Sequence, residues 1–223
     1  MKFSCLMPTK NRPEWIGGAV ESILSQSGQA DRSVEIELIV NDGGKSIEAL
    51  LPHNDLRVRY IRQNTGIADA LNNAMRIAVG DIFVQTNDDD RLLPAALLHV
   101  YDIIAASRIS GHPVEWVYGR VLRGDQPYSR QCELIELLTA GNIIAQPAVF
   151  WTRRAYETVG DFDESVDLAC DYDYWIRLWK HFEPAYTDEI LAIYTEHPGM
   201  ATHTRSGEQC DAGRRVMEKH RER

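Results

Sequence analysis

Short apolar runs alternate with helix-period stretches through the first half of this 223-residue chain, and that alternation limits its fold more than any other feature. Phe3 to Met7, Val34 to Val40, Arg57 to Ile61 and Ile82 to Thr86 have the length of buried strands. Helical spacing predicts a helix from about Glu14 to Ser27, with Ile16, Val20, Ile23 and Leu24 on one face. A second is expected over Gly66 to Val79, carrying Ile67, Leu71, Ala74, Met75 and Ala78 along one stripe. A third runs from Pro94 to about Ser107, with Leu97, Tyr101, Ile104 and Ala105 inward. Strands joined through helices return as right-handed parallel crossovers. The expected class is α/β, a Rossmann-like, mostly parallel central sheet with helices on both faces.

The second half is less regular. Val114 to Val121 and Ala185 to Tyr194 are expected strands, Arg153 to Val159 a short helix stopped by Gly160, and Asp171 to Phe182 a helix burying Tyr172, Trp175, Ile176, Trp179 and Phe182. Ile143 to Trp151 reads as a strand that Pro147 confines to an edge or a bulge. Arg123 to Arg130 is polar and turn-rich, and Leu134 to Leu138 fits either helix or strand. No linker or repeat interrupts the pattern, so one domain is expected over residues 1–205, followed by a polar, basic tail or helix over 206–223. Five basic and two acidic residues fall in Arg214 to Arg223. With only Val216 and Met217 as an apolar face, interfacial insertion would be weak, and a solvated helix or disordered end is expected.

The chemistry concentrates in Gly80 to Pro94. Ile82 to Val84 is a strand core that empties directly into Asn87-Asp88-Asp89-Asp90, and Pro94 is placed at the first turn of the next helix. Adjacent carboxylates repel, and a divalent cation would relieve that repulsion; hard oxygen ligands suit magnesium or manganese. Aspartates also serve as turn formers and helix caps. Position favours the cation, because ligands of open α/β sheets bind outside the carboxyl ends of the strands. Pro8 to Arg12 and Asn41 to Gly44 end two other strands and are expected at the same edge. There Asp42 could accept hydrogen bonds from a nucleobase or ribose, and the backbone of Pro8 and Thr9 could hold a ring edge.

Composition narrows the partners. A net charge of -9 argues against nucleic acid as the main partner, since phosphates are held by basic surface. The N-terminus enters a strand-like run without the pattern of a secretory leader, and no stretch has the length of a membrane span. Cys5, Cys132, Cys170 and Cys210 are far apart and lie in no metal-ligand spacing, so free thiols and a cytoplasmic location are expected.

The motifs occur in a recognisable order. They are Met-Pro-Thr-Lys-Asn-Arg at 7–12, Asn-Asp-Gly-Gly at 41–44, Asn64-Thr65-Gly66 with Ala70-Leu71-Asn72, and Gly80-Asp81 leading to Asn-Asp-Asp-Asp and Pro94. Gly160-Asp161-Phe162-Asp163-Glu164 then leads to Asp171-Tyr172-Asp173-Tyr174-Trp175-Ile176-Arg177. In this order they resemble the family two glycosyltransferases of GT-A fold, to about Thr204. The resemblance implies a nucleoside-diphosphate sugar donor, a saccharide or lipid-linked acceptor, a Mn2+ or Mg2+ cofactor, inversion at the anomeric carbon, and at most peripheral membrane contact. It implies that Pro8, Thr9, Asn11, Arg12, Asp42, Asn72, Asn87 and Asp88 bind the nucleotide sugar. Asn87-Asp88-Asp89 takes the place of the family's Asp-X-Asp motif, with Asn87 for its first aspartate and Asp89 as the metal ligand. His197, in Tyr194-Thr195-Glu196-His197-Pro198-Gly199, matches a family histidine that can approach the diphosphate or the metal; the family's preceding arginine is Thr195 here.

Asp171 matches the family's catalytic base, a carboxylate that deprotonates the attacking hydroxyl. Read without the resemblance, Asp171 is a helix N-terminal aspartate interacting with the macrodipole. Asp173 is read as structural, paired with Arg177 one turn on. Asn142 to Gln146 and Trp151 lie where the family shapes its acceptor side, and Trp151 is read as core. Two other functions stay open. One is a nucleotidyltransferase making nucleotide sugars, which needs a glycine-rich loop that Pro8 to Pro13 lacks. The other is a sugar-nucleotide or metal-binding module without turnover, for which Asn87 is the main support.

Overall fold

The computed structural model describes residues 1–26 and 34–221. Ser27, the expected end of the first helix, lies outside the described residues, as do Glu222 and Arg223 of the basic end. The order is β1 (Lys2–Thr9), α1 (Pro13–Leu24), β2 (Glu35–Asp42), β3 (Val58–Arg62), α2 (Ile67–Ile77), β4 (Ile82–Gln85), β5 (Arg91–Leu92), α3 (Ala96–Ile109), β6 (Trp116–Arg123), β7 (Gln126–Tyr128), α4 (Leu134–Ala140), β8 (Val149–Thr152), α5 (Arg153–Val159), α6 (Cys170–His181), β9 (Ala185–Tyr194), α7 (Ala201–Thr204) and α8 (Ser206–Arg221). Strands follow the order β3-β2-β1-β4-β8-β6-β9-β5, with β7 paired to β6.

β3, β2, β1 and β4 run parallel, and β6 is parallel to β9. β8 joins these two blocks by running antiparallel to both β4 and β6. Side chains alternate between the faces of a strand, and the strands sort their residues accordingly. Phe3, Cys5 and Met7 of β1, with Ile82 and Val84 of β4, pack under α1 and α3. Leu6, Phe83 and Trp151 face the other way, against α2, α5, α6 and α8. Runs buried on both faces are the mark of a covered parallel sheet.

Several boundaries differ from expectation for local reasons. Pro94 is outside the helix it was expected to open: Ala95 takes a left-handed conformation at φ 65°, and α3 starts at Ala96. The expected strand across Pro147 is shorter, because Gln146–Ala148 forms a 3-10 turn before β8. Within the expected polar loop, β6 and β7 close a hairpin through Gly124 at φ 58°. All four cysteines are free thiols. No helix among the described residues is long and apolar enough to cross a membrane.

The C-terminal segment is a helix, solvated on its outer side and docked along one face. Ala212, Val216 and His220 recur every four residues and are buried, giving α8 a narrow seam against the core. Its end meets Asp173, which is 0% exposed on α6. Asp173 accepts from Arg177 at 2.7 Å, Lys219 at 2.6 Å and His220 at 2.9 Å. Burial alone would raise the Asp173 carboxyl; Lys219, Arg177 and His220 outweigh it and hold the group below its ordinary value. A carboxylate depressed in the folded state stabilises above the ordinary carboxylate range and loses that contribution as pH falls through it.

Asp173→Ala leaves two cations, Arg177 and Lys219, and the buried His220 without their anion. It is expected to cost about 3–5 kcal/mol, read as a lower urea midpoint; a loss under about 1 kcal/mol would show that α8 docks through its apolar seam alone.

Candidate active site

Three consecutive carboxylates are buried where β4 ends: Asp88 at 2%, Asp89 at 8% and Asp90 at 5% exposure. Each is compensated differently. Asp88 accepts from Thr9 Oγ1 at 2.6 Å and Arg12 Nη1 at 3.1 Å. Asp89 Oδ2 receives Arg12 Nη1 at 2.6 Å and lies 3.0 Å from His197 Nε2. The His197 ring stacks on Trp15, with centroids 4.7 Å apart. Asp90 accepts from the Thr195 amide at 3.0 Å and from Asn87 Nδ2 at 2.9 Å. Burial, reinforced by the charge of Asp89, pushes Asp90 up to about 7. Burial likewise raises Asp88 against the pull of Thr9 and Arg12.

Two clefts flank this strand end. The larger, of about 780 Å³, is lined by the β1–α1 loop, Asn41 and Gly43 after β2, the start of α2, Asn87 and Asp88, and the segment from His197 to Arg205. The smaller, of about 470 Å³, is bordered by the β6–β7 hairpin, Gly141 to Gln146, Asp171 and the inner face of α8. Leu168 lines both. A hydrogen bond of 2.7 Å from Asn87 Nδ2 to Gln146 Oε1 joins a residue of one cleft to a residue of the other. Gln146 is itself fixed by its Nε2 on Gln85 O at 2.7 Å, and Gln85 Nε2 donates to Asn87 Oδ1 at 3.1 Å.

The expected site residues divide in two. Pro8, Thr9, Asn11, Arg12, Asn87, Asp88 and His197 line the larger cleft, and Asp89 lies beside it through Arg12 and His197. Asn11 sits at φ 58° and accepts the Lys45 amide at 2.8 Å, so the loops after β1 and β2 are tied together. Gly44 is required there, since a Cβ would fall 2.4 Å from Asn11 Oδ1. Asn72 does not line the cleft: it is 1% exposed, and its amide accepts from Phe162 N at 2.8 Å and donates to Phe162 O at 3.0 Å and Glu164 Oε1 at 3.3 Å. Asp42 is 1% exposed, with its oxygens held by Gly44 N at 2.7 Å, Ile47 N at 3.2 Å and Tyr60 OH at 2.7 Å. It shapes the loop over Gly43 and is not among the residues lining the cleft.

Asp171 opens α6 on the smaller cleft and takes Asn142 Nδ2 at 3.1 Å. Desolvation raises its carboxyl to about 6, against the opposing hydrogen bonds of the Tyr172 amide and Asn142. Sequence reasoning missed Trp15, whose position in α1 carries no motif, and the part of α8 that borders the smaller cleft. Asn41, expected at this edge without a role of its own, donates Nδ2 to Ala70 O at 3.1 Å while its buried Oδ1 lacks a partner among the described residues.

The donor set at Asp89 suits a hard divalent cation in part. Magnesium and manganese are commonly held by one or two carboxylates with substrate phosphate oxygens completing the shell, and Asp89 with His197 presents one oxygen and one nitrogen at a shared point. No group of three metal-ligating side chains converges among the described residues, so these two would need ligands from a substrate and from water.

Solved structures share this architecture. S. aureus TarS 1-349 in complex with UDP-GlcNAc superposes with a TM-score of 0.72, at 16% identity, over 92% of this chain and 61% of that one. Mannosyltransferase PcManGT from Pyrobaculum calidifontis, in complex with GDP-Man and Mn2+, does so with a TM-score of 0.65, at 19% identity, over 86% and 56%. The fold is therefore the GT-A fold. The profile of glycosyl transferase family 2 matches residues 4–132, more than half of the chain, and the chain belongs to that family. A PGL/p-HBAD biosynthesis glycosyltransferase of Mycobacterium bovis is 28% identical over 213 residues, 89% of this chain and 78% of that protein. An uncharacterized glycosyltransferase of Rickettsia typhi is 24% identical over 220 residues, 90% of this chain, and the chain spans 66% of that relative's length.

Asn87 donates to Asp90 and Gln146 at once, which a carboxylate cannot do. Asn87→Asp is expected to destabilise the fold by about 1–3 kcal/mol, because acceptors then face acceptors in a partly buried site. Differential scanning calorimetry reads the lower melting temperature; an unchanged one would mean that Asn87 bears no structural load.

Proposed function

We propose that this chain is an inverting, metal-dependent glycosyltransferase that moves a sugar from a nucleoside-diphosphate donor to a hydroxyl of a saccharide or lipid-linked acceptor. The observation that carries this reading is the adjacency of the two clefts across the Asn87–Gln146 bond, with the carboxylate cluster serving one and Asp171 the other. In this reading the donor lies in the larger cleft. Its nucleoside sits against Pro8, Thr9 and Gly43, where the free Oδ1 of Asn41 is an acceptor for a base or ribose proton. Asp42 contributes by holding the loop in shape. TarS and PcManGT, solved with UDP-GlcNAc and with GDP-Man and Mn2+, make uridine and guanosine diphosphate sugars the first donors to try.

The acceptor enters the smaller cleft and presents its hydroxyl to Asp171. As the oxygen attacks the anomeric carbon from the face opposite the leaving group, Asp171 takes its proton, and the diphosphate departs on the other side. One displacement gives inversion. Asn142 keeps Asp171 oriented toward the acceptor. Asp89 and His197 would hold a magnesium or manganese ion, which when bound neutralises charge developing on the departing diphosphate. Arg12 bridges Asp88 and Asp89, and with a cation bound there it would be free to face phosphate oxygens. Separating the base from the metal ligand matters, because a carboxylate engaged by a cation is a poor base. The reading includes a cytoplasmic location with at most peripheral membrane contact.

The bridging Arg12 also gives the module without turnover its one structural argument, since an arginine already neutralises the carboxylates. Turnover decides between the two readings. Asp171→Asn is expected to lower kcat by about 10²–10⁴-fold, the usual worth of a general base, with donor affinity by calorimetry unchanged; loss of donor binding would remove Asp171 from the base role. Because its folded value is raised to about 6, the base is ionised only above that pH. The transfer rate of the native chain should therefore climb through pH 6 to a plateau, and a rate flat from pH 5 to 8 contradicts the assignment.

A further inference from the structure

The wall of the larger cleft that follows β9 runs from His197 past Gly199, Ala201 and Thr204 to Arg205. Side chains able to carry positive charge line this cleft at Lys10, Arg12, His197 and Arg205. Arg12 and His197 are fixed to the buried Asp88 and Asp89. Lys10 donates to Asn64 at 2.9 Å and packs beside Gly43, toward the loop after β2. Arg205 is held differently. Its Nη2 and Nε donate to Glu208 at 2.6 and 3.2 Å, three residues on, and the two side chains are 49% and 62% exposed. Glu208 does not line the cleft. An exposed pair of this kind is worth about 0–1 kcal/mol, so the guanidinium can leave it at little cost.

The opposite wall offers an entering anion no free backbone seat. α2 begins at the cleft, and the N-terminus of a helix is a natural seat for an anion. Here the seat is taken: Asp167 Oδ1 accepts the Ala68 amide at 2.8 Å, and a Cβ on Gly66 would stand only 2.7 Å from that oxygen. A second anion entering beside Asp167 is repelled by it, and a side-chain cation on the facing wall offsets that repulsion.

We propose that Arg205 is a diphosphate-binding arm, parked on Glu208 when the cleft is empty and swung onto the phosphates when a nucleotide enters. A planar guanidinium matches two phosphate oxygens at once, which a lysine ammonium cannot do. The inference rests on the reading of the larger cleft as the donor site.

Calorimetric titration of the full chain with UDP, GDP, dTDP and CDP, and with the matching monophosphates, all with Mn2+ present, tests it. For the diphosphate that the native chain binds, Arg205→Ala should weaken affinity about tenfold, while the monophosphate is bound as before. Arg205→Lys should recover only part of the loss. Glu208→Gln unparks the arm and should tighten the diphosphate by about threefold. Arg205 is half exposed, so an unchanged melting temperature will show that the variants fold. Equal affinity of native chain and Arg205→Ala for the diphosphate, or equal losses for both nucleotide classes, overturns the proposal. If the native chain binds none of the nucleotides, the donor reading itself fails and the arm falls with it.

Discussion

Everything near the site depends on making three adjacent buried carboxylates tolerable. Two unit charges 4 Å apart interact by about 4 kcal/mol at an effective dielectric of 20, so Asp88, Asp89 and Asp90 cannot share a strand end without compensation. The compensating groups come from distant parts of the chain. Thr9 and Arg12 arrive from the β1–α1 loop, 79 and 76 residues from Asp88. Thr195 and His197 arrive after β9, 105 and 108 residues from Asp90 and Asp89. The same bonds that offset the repulsion draw the first and last strands' loops around one point, and the larger cleft is the space they enclose.

A second buried carboxylate organises the other half. Asp173 gathers Arg177 from its own helix and Lys219 and His220 from α8, which seats the C-terminal helix against α6. That helix then lends Gln209, Gly213 and Met217 to the border of the smaller cleft, opposite Asp171. Two residues apart on α6, Asp171 and Asp173 have opposite fates for one physical reason. Asp173 has two cations and a histidine around it and is depressed, whereas Asp171 has only neutral donors and is raised to about 6. A structural anion wants the first environment and a base the second.

Much of this was legible in the chain. The buried strands are continuous apolar runs, and α1, α2 and α3 carry their inward residues at helical spacing, so the sheet and its covering helices follow from local pattern. The motif order pointed to the loops after β1 and β4 and to His197, which the structure does bring to one cleft. What stayed hidden depends on contacts across long sequence distances. Nothing local in Asn72 says that the backbone of Phe162 engages its amide, nor in Asp42 that Tyr60 and two amides cover it. The α8 seam consists of one alanine, one valine and one histidine, too sparse to outweigh the charged residues between them. β5 is two residues long and exists through its pairing with β9. Pro94 suggested a helix start that the left-handed Ala95 defers by two residues.

The central claim is that the two clefts hold donor and acceptor on either side of the Asn87–Gln146 bond. The most direct test is a crystal structure of the chain with a nucleoside-diphosphate sugar and Mn2+. The account predicts the nucleoside in the larger cleft, the diphosphate beside Asp89 and His197, and the anomeric carbon turned past Gln146 toward Asp171. A nucleotide bound outside that cleft, or a sugar facing away from Asp171, would contradict it.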